Sequence, residues 1–195
     1  MVPMSSSDTQ ALNDESRRLL LGVAWDSLRH GLAKGGPIRP DPADYPEPLR
    51  EHRAAFVTLH RHGDLRGCIG HLEPCQPLVL DVADNAFAAA FHDPRFPRLE
   101  TRELDGLTLH ISVLSIPAPM TFSDEQDLLR QLRPGVDGLI LSDGRARGTF
   151  LPAVWESLPQ PRDFLTHLKL KAGLPGRHWS TTVQVWRYHA EAFGD

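Results

Sequence analysis

"LRGCIG", Leu65–Gly70, decides how this chain of 195 residues is read. It follows "AAFVTLHRHGD" at 54–64, an alternating apolar run that ends in a turn signal, so the two segments form a β-hairpin. Glycine weakens a strand interior unless something must approach the backbone closely. Two glycines in six residues therefore mark this strand as a place of close approach, and Arg66 and Cys68 flank the first of them, Gly67. The loop length sets which side chains share a face, because a one-residue slip moves all of them to the other side. With a three-residue loop, His62-Gly63-Asp64, Arg61 faces Leu65, His60 faces Arg66 and Thr58 faces Cys68. That register gathers Val57, Leu59, Leu65 and Ile69 on one apolar face, whereas a two-residue loop mixes the faces.

The opposite face then carries Thr58, His60, Arg66 and Cys68, with Gly70 adding no bulk. Arg66 and Cys68 lie two residues apart, roughly 7 Å along a strand, and project to one side. Gly67 admits a helix or loop against the apolar face. Two readings of the notch stand open. In one, Cys68 is a nucleophile favoured as thiolate by the Arg66 guanidinium, with His60 as a base. In the other, Cys68 is a small packed hydrophobe and Arg66 pairs with a carboxylate.

Outward from the hairpin, residues 1–13 read as a polar, flexible N-terminus. A helical stripe (Leu19, Leu20, Val23, Ala24, Leu28, Leu32) predicts a helix from Asp14 to about Lys34, stopped by Gly35. A proline-rich loop at 37–48 follows, too rich in proline for a regular helix and laid over the body. Pro77 opens an alanine-rich helix to Phe91. "DPRF" at 93–96 sets Asp93 and Arg95 in a stiff loop that either caps this helix or lines the Cys68 cleft. "LTLHISVL" at 107–114 is a strand with His110 and Ser112 on its polar side. Ser123 with Gln126 suggests a capping box, Asp143-Gly144 a hairpin turn, Pro161–Ala172 a helix and Thr182–Tyr188 a last strand. Hairpins mixed with helices, without βαβ alternation, give an α+β fold: an antiparallel sheet with flanking helices.

Hydrophobic residues make up 41% and the formal net charge is -4, which permits a packed core and argues against nucleic acid as the main partner. No apolar run is long enough to span a membrane, and the start lacks the pattern of a secretory signal. Two cysteines, Cys68 and Cys75, cannot build a disulfide framework, and the reading is cytoplasmic and reduced. His60-x-His62 and His71-x3-Cys75 lack the spacing of a metal frame, so no metal is expected. No phosphate loop, nucleophile elbow or other cofactor motif is present.

The signature "LRGCIG" resembles that of the AMMECR domain family, whose bacterial and archaeal members are called AmmeMemoRadiSam system protein A. "DPRFPRL" (93–99), "LHISVLS" (109–115), "GVDGLIL" (135–141), "TFLPAVW" (149–155) and "FLTHLKLKAGL" (164–174) also match. The resemblance covers about 14–193. It implies one AMMECR-type domain with two subdomains, a larger α/β body plus a smaller subdomain, and a cleft near the motif. It attaches no settled reaction. It implies association with a Memo-like protein and a radical SAM protein. The expected function is a small-molecule cleft with Cys68 and His60 as catalytic candidates and Thr58, Arg66, Gly67, Gly70, Asp93 and Arg95 as binding residues. The alternative is a non-catalytic interaction module.

Overall fold

A computed structural model of the chain describes residues 11–195. Most of the expected flexible segment, 1–10, lies outside the described residues. Leu12 and Asn13 do not fit that expectation. Leu12 is buried and its N–H donates to Glu191, and the Asn13 side chain accepts the Ser16 N–H to cap the first helix. Helix α1 (Asp14–Lys34) has Asp14 and Glu15 in its first turn, where the dipole favours them, and ends at Gly35 with φ 78°.

The proline-rich stretch is a 3-10 turn at Pro42–Asp44 followed by one helical turn, α2 (Glu47–Arg50). The expectation of no helix there is corrected at α2. Proline is harmless in a first turn, where no intrahelical N–H is required, and Leu49 then enters the core. Strands β1 (Ala55–Arg61) and β2 (Asp64–Gly70) form the hairpin, and α3 (Leu78–Phe91) packs on it. Next come β3 (Leu107–Leu114), β4 (Ala118–Pro119), α4 (Glu125–Gln131), β5 (Gly138–Asp143), β6 (Ala146–Phe150), α5 (Pro161–Lys171), β7 (Gln184–Tyr188) and β8 (Ala190–Gly194). The N-cap of α4 is Asp124, which accepts from the Asp127 N–H; Ser123 does not cap it. The β5–β6 turn is Gly144-Arg145, one residue later than expected, with Asp143 paired to Ala146.

The fold is α+β, with two four-stranded sheets ordered β2-β1-β3-β8 and β4-β7-β5-β6. The chain forms two compact units. The first runs up to Leu114 and takes in Glu191–Asp195; the second is Ser115–Ala190. In the first, α1 and α3 lie close because Gly31 leaves room for the Phe87 and Phe91 rings. Leu20, Leu28, Val57, Leu59, Val82, Ala86, Leu109 and Ile111 fill this core. The second unit has its own core of Leu139, Leu141, Phe164, Leu168 and Val185, with Trp155 stacked on Phe164 at 3.8 Å.

One face of the first sheet meets α3 at contact distance. A Cβ on Gly67 would stand 2.1 Å from the Ala89 carbonyl oxygen, so only glycine fits. The other face carries Thr58, His60, Cys68, His110 and Ser112, none of them buried.

Candidate functional site

Thr58 and Cys68 are cross-strand neighbours, as expected, but the chain reaches that register by another route. The turn has two residues, His62 and Gly63, both with positive φ (53° and 91°), the geometry that matches strand twist in a tight hairpin. His60 therefore faces Leu65. A one-residue bulge then sets Leu59 opposite Gly67 and restores the Thr58–Cys68 pair. The extra residue is Arg66. The expected His60–Arg66 pair does not form, and Leu65, expected on the apolar face, is 41% exposed beside His60.

The bulge redirects Arg66, since an inserted residue breaks the alternation of sides. Its guanidinium donates two hydrogen bonds to Glu103, at 2.8 and 3.0 Å, and one to the Pro97 carbonyl. The Phe96 ring lies 5.9 Å away. These hydrogen bonds hold the Glu103 carboxyl down to about 2. Arg66 is a buried structural cation whose charge is already matched. This corrects its assignment to a shared face with Cys68; the second of the two readings, pairing with a carboxylate, is the one realised for Arg66.

Cys68 is held from three directions. In an antiparallel pair, residues facing each other without mutual backbone hydrogen bonds bring their side chains closest. Thr58 Oγ1 donates to Cys68 Sγ at 3.3 Å. The backbone of such a residue points outward, and β2 is an edge strand. There the Asp93 carboxylate accepts the Cys68 N–H at 2.9 Å, and Arg95 donates to the Cys68 carbonyl at 3.3 Å. Asp93 and Arg95 are themselves joined by two side-chain hydrogen bonds, at 2.7 and 2.9 Å. The Arg95 guanidinium, aided by the Cys68 N–H, keeps the Asp93 carboxyl far below the ordinary carboxylate range. This pair occupies the backbone groups that a neighbouring strand would otherwise take. "DPRF" thus neither caps α3, whose last residues are closed by the His92 N–H, nor leaves Cys68 alone.

Across β1, Thr58 faces His110 on β3, and the His60 and His110 rings meet edge to face at 5.4 Å. The face therefore presents a thiol, a hydroxyl and two imidazoles in adjoining positions. Gly70 gives room to the Phe56 ring, which a Cβ there would meet at 2.4 Å. His110 was readable as a polar-side residue of its strand. Its place beside His60 was not, because strand order does not follow from one sequence. Glu103 carried no signal at all. A second cluster sits at the end of β2: buried Asp81 accepts the Ala55 N–H and meets His71 Nδ1 at 2.6 Å. Burial pushes the Asp81 carboxyl up, against the pull of His71 and Ala55. Among the described residues no cluster of three or more His, Cys, Asp or Glu is placed to hold a metal ion. No helix there is long and apolar enough to cross a membrane.

Residues 21–193 match the family model described as AMMECR1. A protein of Methanothermobacter thermautotrophicus is 37% identical over 188 residues, which cover 93% of this chain and 95% of that one. A protein of Thermotoga maritima is 41% identical over 162 residues, 82% of this chain and 87% of its own length. Among solved structures, the uncharacterized protein PH0010 of Pyrococcus horikoshii superposes with a TM-score of 0.82 at 34% identity, covering 94% of this chain and 93% of that one.

Proposed function

The chain belongs to the AMMECR1 family, and from the geometry around Cys68 we propose that it is a small-molecule-binding domain that works through this thiol. The observation that carries the reading is the threefold hold on one cysteine. Its sulfur, its N–H and its carbonyl are each engaged by a separate side chain, while the residue stays half-exposed. Closing the strand edge accounts for the two backbone holds but not for a hydroxyl aimed at the sulfur of a partly exposed cysteine, which suits preorganisation of a reacting or ligand-binding group. Thr58 supplies a hydroxyl that can donate or accept, so it suits the sulfur before and after loss of a proton. His60 and His110 offer imidazoles to take that proton from a bound substrate or thiol. Arg66 has no direct part: it stiffens the strand through Glu103. The Memo-like and radical SAM partners that the resemblance implies, and a cytoplasmic setting, belong to the same proposal.

The competing reading is a non-catalytic docking face, favoured by exposed Leu65 beside His60. Alkylation separates the two. Iodoacetamide at pH 7, followed by intact mass and peptide mapping, should modify Cys68 faster than the exposed Cys75. Thr58→Val should change the Cys68 rate several-fold and leave Cys75 as it was. If Cys68 labels more slowly than Cys75, or only after unfolding, the thiol reading fails and the docking face takes its place.

A further inference from the structure

The second unit holds a cleft of about 410 Å³ that owes nothing to Cys68. Its volume falls within the roughly 300–1,000 Å³ of small-ligand sites. The apolar lining combines three aromatic residues, Phe122, Trp179 and Trp186, with aliphatic ones such as Met120 and Val183, and the polar lining is hydroxyls and the Gln184 amide. No side chain lining it is charged.

Both walls are fixed by side-chain hydrogen bonds. On one side, the Asp143 carboxylate at the end of β5 accepts from His178, Ser180 and Thr182 at 2.6, 2.8 and 2.6 Å. Those bonds pull the Asp143 carboxyl down to about 2. They engage alternate residues of the segment, of which Trp179, Ser180 and Thr181 line the cleft. On the other side, Gln131 donates to the Thr121 carbonyl, Asp127 accepts the Ser123 N–H, and the Met120 N–H donates to Val185 on β7. Behind Trp179, buried Lys169 sets its ammonium 5.3 Å from the ring centre and donates to Glu125. Lys169 itself does not line the cleft. Trp179 thus lines the cleft while a buried ammonium lies against its ring. Phe122 meets it at 5.7 Å, tilted by 55°.

We propose that this cleft binds an uncharged, planar heteroaromatic ring, of the nucleobase or nucleoside kind, stacked on Trp179 and held at its edge by the hydroxyls and Gln184. Aromatic faces accept any such ring, and its edge supplies donors and acceptors that single hydroxyls and an amide can satisfy. A phosphate or carboxylate would find no cation in the lining. A sugar would find no charged or bidentate carboxylate or guanidinium partner for vicinal hydroxyls.

The test is a ¹⁵N-labelled sample of the full chain titrated with adenosine, guanosine and riboflavin, reading the indole N–H signals of Trp179 and Trp186. At least one probe should shift both in a saturable way and leave the Trp25 indole, in the first unit, unmoved. AMP should bind no more tightly than adenosine, and N-acetylglucosamine should not bind. Trp179→Leu should weaken binding at least about fivefold, the lower end of a lost stacking contact. If that variant does not fold, the indole shifts of the unaltered chain still decide the matter. No saturable shift with any of the three probes, shifts confined to other residues, a preference for AMP, or binding of the sugar instead would each overturn the proposal.

Discussion

Arg66 and Glu103 show how a residue prominent in the sequence can be occupied with the fold. Their side chains are 9% and 14% exposed, so water screens the pair little. Glu103 lies at about 2 when folded, against 4.5 for the ordinary side chain. The carboxylate is therefore favoured by folding, and its contribution is complete above about pH 4.5. It drains away as the pH falls from there toward 2, when the folded protein must take up the proton. Urea unfolding midpoints measured from pH 2 to 7 should fall over that window. Glu103→Gln should cost about 1–3 kcal/mol at pH 7, since it weakens charge-assisted bonds to a buried guanidinium, and should flatten the acid limb. An unchanged acid limb in the variant would mean that other carboxylates govern it.

At the scale of elements, the signature strand is explained on both sides by what lies against it. Glycine at 67 lets α3 approach to van der Waals contact, and the Asp93–Arg95 pair closes the outer edge at Cys68. Ala89 presents a backbone oxygen to Gly67, which cannot rotate out of the way as a side chain could. Gly67→Ala should therefore force α3 off the sheet and cost about 3 kcal/mol, the upper end of ordinary overpacking, read as a drop in the urea midpoint. Stability equal to the parent would show that the helix yields freely. Much of this was legible. Period and punctuation located α1, α3, β3 and the hairpin to within a residue or so, because helix caps and glycine stops act locally. The close approach at Gly67 followed from glycine in a strand. The bulge did not follow, because a two-residue turn plus one inserted residue and a three-residue loop bring the same Thr58 to the same Cys68. Only the face of Arg66 and Leu65 tells them apart. Asp93 and Arg95 were legible as a stiff acid–base loop but not as an edge clamp, since that depends on β2 being an outer strand.

For the whole molecule, the chain path is the feature that no local pattern reveals. The first sheet takes β1, β2 and β3 before residue 115 and completes itself with β8, after the whole second unit has been traced. The strand at 190–194 alternates weakly and was not foreseen; it is specified by long-range bonds, with the Asp195 carboxylate and N–H engaging the backbone of Leu109 and Glu191 binding Arg17 and Leu12. The second unit is thus an insertion between β3 and β8, with a hydrophobic core of its own. Its two ends meet, for the Ser115 N–H donates to the His189 carbonyl at 2.9 Å. A chain that leaves and re-enters at one place can be cut there without stretching what remains. Replacing 115–190 by a short glycine-serine linker should therefore leave a folded first unit, with α1 and α3 packed on a four-stranded sheet. The expected signs are a cooperative thermal transition, dispersed amide signals, and Cys68 alkylated at a rate close to that in the full chain. Such a fragment would also show that the Cys68 face is built by the first unit alone. A fragment that is collapsed and non-cooperative, with Cys68 labelled as fast as in urea, would show that the first core depends on the second unit for its stability.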